Sequence, residues 1–331
     1  MLKIPQRKLG PFTVSSLGLG CMNLNHAYGT APTAEVGAQL LLHALESGVT
    51  LFDTAPLYGA AENEKLLGNT LARHRASIVL ATKAGLYILD GKRVIANRPE
   101  TIKEQLDLSL ARLQTDHVDL LYLHRWDKKT PIEESIGAMS DLVRAGKARA
   151  LGLSEVSAAT IVRAHAVHPI AAVQTEYSLW TRNAEIGVLE ACRKIGATFV
   201  AFSPLARGWL TNTLALSDLG AADIRRGMPR FKSENFIQNR TVLEEFVRLA
   251  GEVGCTPGQL ALAWLLNRAP HVVPIPGTRS VAHFDENMAA IGIQLDSEPL
   301  ERLEQLFAPG KIAGDRYPPA TQAEIDTEQF S

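Results

Sequence analysis

Several large classes of protein are excluded by what this chain has little of. Its 331 residues include three cysteines, Cys21, Cys192 and Cys255. They are odd in number, far apart and in no Cys-x-x-Cys pairing, which argues against a disulfide framework or a zinc knuckle and fits a reducing compartment. No window approaches the roughly 20 apolar residues of a membrane span, and Met1 to Lys8 has no apolar signal-peptide core. A cytoplasmic location without a membrane partner is expected. Neither sign of charge is in excess: the net charge is -1 and the pI near 6.8, which argues against nucleic acid as a partner. Glycine-rich phosphate loops are incomplete. Gly18-Leu-Gly20 is followed by Asn23 where a dinucleotide fingerprint needs its third glycine, and before Gly146-Lys147 the glycine position of a Walker loop holds Asp141. The nine histidines supply only one, His124, at the end of an expected strand, so no metal centre is expected.

Hydrophobic residues at 46% and charged residues at 21% suit a soluble globular protein with ample core. The chain is organised around Thr50-Leu-Phe-Asp-Thr-Ala-Pro-Leu-Tyr-Gly59. An apolar run reads as a short buried strand ending at Asp53, and Pro56 and Gly59 then force a turn that carries Tyr58. A hairpin is expected over residues 7–16, turning at Gly10-Pro11. Strands are expected at Leu17 to Gly20, around Asp53, and at 78–83, 118–124, 148–154, 171–177, 198–204 and 272–277.

Helices are expected between these strands, with N-caps at Thr33, Ser157, Asn183 and Ser280 and Pro99 at a first helical position. Capping boxes are expected at Thr130-Pro-Ile-Glu133 and Thr256-Pro-Gly-Gln259. Residues 205–238 form the longest irregular stretch and read as a functional loop or lid. Its Arg225 to Arg230 run is either solvated or in contact with cofactor or substrate. The tail, about 293–331, reads as a surface wrap or flap. Eight strands alternating with helices, without a long linker, match a single-domain α/β chain: a (β/α)8 TIM barrel over about 17–292, with an N-terminal β-hairpin and long loops at its C-terminal face. Periodicity alone leaves a doubly wound sheet open.

A barrel builds its active site at the C-terminal ends of its strands. Those ends carry Asp53, Lys83, His124, Ser154, Gln174, Ser203 and Gly277, with Tyr58 on the loop after the second strand. A buried lysine needs a partner for its desolvated charge, and Asp53 is the obvious one. Asp, Lys, Tyr and His at one mouth suggest carbonyl reduction. A phenol is protonated at neutral pH and donates to a developing alkoxide, and a nearby ammonium favours the tyrosinate left behind. His124 would orient and polarise the carbonyl. The hydride must come from a cofactor, since no side chain supplies one. Trp126, Tyr177 and Trp180 either line an apolar substrate pocket or pack in the core.

Leu17-Gly-Leu-Gly-Cys-Met22, Phe52-Asp-Thr-Ala-Pro-Leu-Tyr-Gly59, Ala81-Thr-Lys83, Tyr122-Leu-His-Arg125, Gly152-Leu-Ser154, Ser203-Pro-Leu-Ala-Arg-Gly208 and Ile275-Pro-Gly-Thr-Arg279, taken in order, resemble the aldo-keto reductases. The segment Arg225-Arg-Gly-Met-Pro-Arg-Phe231 with Glu234-Asn-Phe236 is similar to the bacterial and plant branch that includes pyridoxal and aldehyde reductases. The resemblance implies a catalytic tetrad of Asp53, Tyr58, Lys83 and His124, with Tyr58 as proton donor to a small aldehyde or ketone and NADPH lying across the barrel mouth. It implies Ser154 and Gln174 at the carboxamide and Phe202 stacked on the nicotinamide, with Gly20, Cys21 and Met22 lining the same region. Ser203, Pro204, Leu205, Arg207 and Gly208 would follow the pyrophosphate. Gly277, Thr278, Arg279, His283, Glu286 and Asn287 would surround the adenosine end, with Arg279 on the 2′-phosphate.

Three positions depart from the common family pattern: Glu155 in place of Asn, Phe202 in place of Tyr and His283 in place of Arg. Members of this fold also serve as NADP-binding regulatory subunits of potassium channels, and the tetrad alone does not separate that reading from an enzyme. Oligomerisation is not indicated by the sequence.

Overall fold

A computed structural model describes residues 4–330. Strands β1 (Gln6–Leu9) and β2 (Phe12–Ser15) form the antiparallel hairpin. Eight parallel strands then follow in one sheet: β3 (Leu19–Gly20), β4 (Leu51–Asp53), β5 (Val79–Ala84), β8 (Val118–Leu123), β9 (Ala148–Ser154), β10 (Ile170–Glu176), β11 (Thr198–Phe202) and β12 (Val272–Pro274). The sheet closes on itself. Gly18 N–H donates to Pro274 O at 3.0 Å and Gly20 N–H to Pro276 O at 3.1 Å, joining the first barrel strand to the last. This is the (β/α)8 barrel expected from the alternation of elements, and a doubly wound sheet is excluded.

Two cores result. Inside the barrel, side chains such as Leu51, Leu120, Tyr122, Val200 and Val273 meet Leu9 and Val14 of the hairpin, which plugs the end opposite the active face. Between strands and helices lies the larger core, containing Leu40, Leu67, Leu106, Ile136, Phe246 and Trp264. Gly152 is needed for the inner layer: a Cβ there would stand 2.4 Å from the Tyr122 ring.

The helical punctuation follows local chemistry. Thr33, Ser157 and Ser280 cap α1 (Ala34–Glu46), α5 (Ala158–Val167) and α10 (Val281–Ala289), Pro99 opens α3 (Pro99–Leu113), and Thr256 and Gln259 make a reciprocal box at α9 (Pro257–Arg268). Two expected caps do not form. The Thr130 hydroxyl and N–H turn back to Asp127, so α4 (Ile132–Arg144) starts after Pro131 without a side-chain cap. Asn183 opens only a 3-10 turn, and α6 (Val188–Ile195) starts after Gly187.

The last strand stops at Pro274 rather than 277, because Pro274 and Pro276 have no N–H for the ladder. A second hairpin, β6 (Leu86–Leu89) with β7 (Lys92–Ile95), rises beside the active face where no element was expected. Its sequence signal is Asp90-Gly91. Both residues have positive φ, 50° and 73°, as a tight hairpin turn requires.

The tail is more than a surface wrap. After α11 (Ser297–Leu306) it crosses the barrel mouth, and Arg316, Tyr317, Ile325 and Thr327 are buried. Lys128 holds its end through Ala323 O and Ile325 O, and the Asp326 carboxylate accepts from Ser157 and Thr160.

Candidate active site

The ends of β4, β5 and β8 bring Asp53, Lys83 and His124 together, and the Pro56 turn delivers Tyr58 to the same point. Lys83 is 1% exposed. Its Nζ stands 2.5 Å from Asp53 Oδ1, 2.9 Å from Thr54 O and 3.1 Å from the Tyr58 hydroxyl, so all three ammonium protons have an acceptor. Gln174 Nε2 donates to the other Asp53 oxygen at 2.7 Å, which leaves that carboxylate fixed from both sides. The His124 ring meets the Tyr58 ring edge-on, with centroids 6.1 Å apart, and the His26 ring lies nearly parallel to it at 6.2 Å.

Burial works against the Lys83 charge, yet Asp53 and then Tyr58 outweigh it and hold the ammonium pKa above its usual value. For Tyr58 burial is the largest influence and raises the phenol, while Lys83 pulls the other way without cancelling it. The ammonium therefore acts in the expected direction, but the net shift in this site is upward. Burial, then Arg125 and Lys83, push His124 well below the usual imidazole range, so it is neutral at pH 7. Its Nδ1 is buried without a hydrogen-bond partner.

Tyr58 and His124 open into a cleft of about 790 Å3 that runs across the barrel mouth to Arg279 and Asn287. Gly20, Met22, Asp53, Ser154, Gln174, Phe202, Ser203, Pro204, Leu205, Arg207, Gly208, Gly277, Thr278, Arg279, His283, Glu286 and Asn287 all line it. Lys83 lies behind Tyr58, out of the cleft. Cys21 does not line the cleft: it is wholly buried in the outer core, its thiol directed to Leu19 O, so it is a packing residue. Tyr177 and Trp180 also belong to that core. The Tyr177 hydroxyl donates to Glu185 and Trp180 stacks on Trp209, so neither lines the cleft.

The cleft has the build of a cradle for a long phosphorylated ligand. Ser203, Ala206, Arg207 and Gly208 all have positive φ, an irregular strap after β11. Gly258 lines the cleft at the start of α9, and a Cβ there would project between Leu205, Thr211 and Glu286. Arg279 sits just before α10, holding Tyr28 O and Thr30 O through Nη1. The Arg207 side chain is already engaged: Nη2 meets Glu176 at 2.7 Å and the Tyr317 hydroxyl at 3.0 Å, and Nη1 meets the Tyr28 hydroxyl at 3.0 Å.

That contact belongs to a buried network that sequence reasoning missed. Glu176 ends β10 and accepts from Arg207 and Arg316; opposed by burial but favoured by Arg207, Arg316 and Arg230, its carboxyl is held down to about 2. Glu155 has a φ of 57°, a conformation that Asn tolerates better. Its carboxylate turns away from the cleft to bind Arg316, the Thr327 hydroxyl and the Glu176 N–H. Arg230 reaches Trp180 O, Thr181 Oγ1 and, in the tail, Gly314 O, while Arg225 Nη1 donates to Arg207 O. The arginine-rich loop is thus built into the strap and tail rather than free in solvent. Glu155, as a departure from the family pattern, was the one sequence signal for this network. Arg125, also missed, lines the cleft beside His124.

Among the described residues no cluster of His, Cys, Asp or Glu could hold a metal ion, and no helix is long and apolar enough to cross a membrane.

Comparison with known proteins agrees with this arrangement. A model of the Aldo/keto reductase family matches residues 16–308. The chain is 40% identical over 332 residues to a Schizosaccharomyces pombe protein named aldo-keto reductase yakc, NADP(+), covering 98% of this chain and 97% of that one. It is 40% identical to a probable aldo-keto reductase of Glycine max, covering 94% and 91% of the two chains. Among solved structures, a glycerol dehydrogenase from Gluconobacter oxydans superposes with a TM-score of 0.85 at 28% identity, covering 96% of this chain and 99% of that one. A thermostable aldo-keto reductase solved with the inhibitor epalrestat gives a TM-score of 0.73 at 29% identity, covering 92% and 100%. With a shared fold, a matching family model and relatives at this identity along nearly its whole length, the chain belongs to the aldo/keto reductase family.

Proposed function

We propose that the protein is an NADPH-dependent reductase of aldehydes or ketones in which Tyr58 is the proton donor. The observation that carries this reading is the Tyr58 hydroxyl 3.1 Å from a Lys83 ammonium that is itself held by Asp53, at the open end of a long cleft. Family membership and the NADP(+) in the name of the fission-yeast relative support the cofactor.

When bound, the nicotinamide supplies the hydride to the carbonyl carbon. The chain's own residues manage the charge that then appears on oxygen. Tyr58 is raised by burial and so stays protonated at neutral pH; it donates its proton to that oxygen, and Lys83 stabilises the phenolate left behind. Asp53 and Gln174 keep Lys83 aimed at Tyr58. His124, kept neutral, offers a hydrogen bond that orients the carbonyl. Ser154 and Gln174 face the region for the carboxamide, Phe202 offers a ring for stacking, and the Ser203 to Gly208 strap suits a pyrophosphate through backbone N–H groups. Arg279 and the start of α10 suit the 2′-phosphate.

The test is Tyr58→Phe. Aldehyde reduction should fall by about 100-fold to 10,000-fold, the usual worth of general acid catalysis, while NADPH affinity stays nearly unchanged. A variant with the parent rate removes Tyr58 from the mechanism. Steady-state turnover slower than about one per minute across a panel of aldehydes, with tight NADPH binding, would instead favour a regulatory subunit of the channel-associated kind.

A further inference from the structure

We infer that Arg125 binds an anionic group on the substrate, so that the preferred carbonyl compounds carry a carboxylate near the reacting aldehyde or ketone; this rests on the reductase reading above. Arg125 is the second residue after β8, is 8% exposed and lines the cleft beside Tyr58 and His124. A guanidinium presents five N–H groups and keeps its charge at any physiological pH. Here Nη1 donates to two neutral acceptors, His124 O at 2.7 Å and Ser154 Oγ at 3.1 Å. Nε is buried without a partner, and among the described residues Nη2 makes no hydrogen bond to protein.

The nearby acids are committed elsewhere. Asp53 is held by Lys83 and Gln174, and Glu155 by Arg316 and Thr327. Arg93, the other arginine lining the cleft at this end, is paired with Glu324 of the tail. Arg125 is therefore the positive charge at the reacting end that forms no ion pair among the described residues, although Glu155, itself held by Arg316, feels its charge.

The physical consequence is selection by displacement. Nη2, unlike Nε, is not among the enclosed atoms without a partner, so water can meet it before a substrate arrives. A substrate that fills this end drives that water out and must replace its acceptors, and a neutral one leaves a buried cation unpaired. A carboxylate supplies both the charge and the acceptors. Nη2 and Nε share one edge of the guanidinium, the edge a carboxylate grips with two oxygens. Water does not reach Nε in this structure, so the second oxygen seats only as neighbouring side chains shift. Since Arg125 also holds Ser154 and the His124 carbonyl, a purely structural role predicts equal losses on every substrate.

The experiment compares NADPH-dependent reduction of 4-oxobutanoate and of butanal, equal in carbon number and differing in the carboxylate. The unmodified enzyme should favour 4-oxobutanoate in kcat/KM by at least about tenfold, and Arg125→Met should lower that ratio by about 10-fold to 150-fold, chiefly through KM, with Arg125→Lys recovering part of it. NADPH binding and thermal unfolding are measured for each variant. Butanoate should also inhibit butanal reduction competitively in the unmodified enzyme, and butanamide should not, which tests the site without any substitution. Equal losses on both aldehydes, no preference for the acid, or no inhibition by butanoate overturns the assignment. Failure of the unmodified enzyme to reduce either aldehyde while still binding NADPH overturns this assignment, and the aldehyde panel described above decides whether the reductase reading falls with it.

Discussion

The Glu155 carboxylate takes the Arg316 guanidinium from a residue 161 positions further along the chain, with Nη1 at 2.8 Å, and both side chains are buried. The pair fastens the tail over the barrel mouth, and Glu176 extends it to Arg207 in the strap. Removing one partner leaves a buried charge without compensation, which typically costs about 3–5 kcal/mol. Arg316→Met should therefore lower the unfolding temperature and expose the tail to limited proteolysis. Combining it with Glu155→Gln should recover part of that loss. A double variant no better than the single one would show that the pair is not the tail's anchor.

The acid limb of stability should come from the same network. Glu176 is held at about 2 in the folded protein, below the ordinary value of roughly 4.3 for an unfolded chain. A depressed carboxyl stabilises the fold above its unfolded pKa, and that contribution is lost as pH falls through the interval towards the folded one. Thermal unfolding followed from about pH 5 down to about pH 2 should show a steep loss that is shallower in Glu176→Gln. Parallel acid limbs would contradict the assignment.

Carbonyl reduction should be insensitive to His124 titration. Its pKa is pushed well below the usual 6.5, so the imidazole is neutral through the neutral range, and Tyr58, raised by burial, keeps its proton there. The value of kcat for reduction should be flat from about pH 6 to about pH 9, falling only as Tyr58 loses its proton at higher pH. A break near the ordinary imidazole pKa would mean that His124 is charged in the working enzyme.

At the far end of the cleft, Arg279→Ala should weaken NADPH by about 10-fold to 150-fold, the worth of a charge-assisted hydrogen bond, and NADH by much less. Because Arg279 also ties Tyr28 O and Thr30 O, a small common loss is expected for both cofactors. Equal losses in direct binding measurements would place the 2′-phosphate elsewhere.

The linear pattern of residues was enough for the barrel, for the strand ends at Asp53, Lys83 and His124 and for their meeting with Tyr58, but not for the end of the last strand. Apolar runs bounded by caps, prolines and glycines are local signals, and each of these groups sits at the tip of one such run. The Asp90-Gly91 hairpin carried an equally local signal. The family resemblance implies Cys21 in the cleft together with Gly20 and Met22, but the backbone turn that brings those two to the cleft buries the thiol.

Only the packed chain decided which charges meet. Arg207 looked free for phosphate until folding set Glu176 and Tyr317 beside it, and Glu155 was an odd residue until the tail delivered Arg316. Arg125 became notable when every acid near it proved to be engaged. Ion pairing between residues as far apart as Glu155 and Arg316, 161 positions, or Arg93 and Glu324, 231 positions, depends on three-dimensional distance and desolvation, which leave no periodicity in the chain.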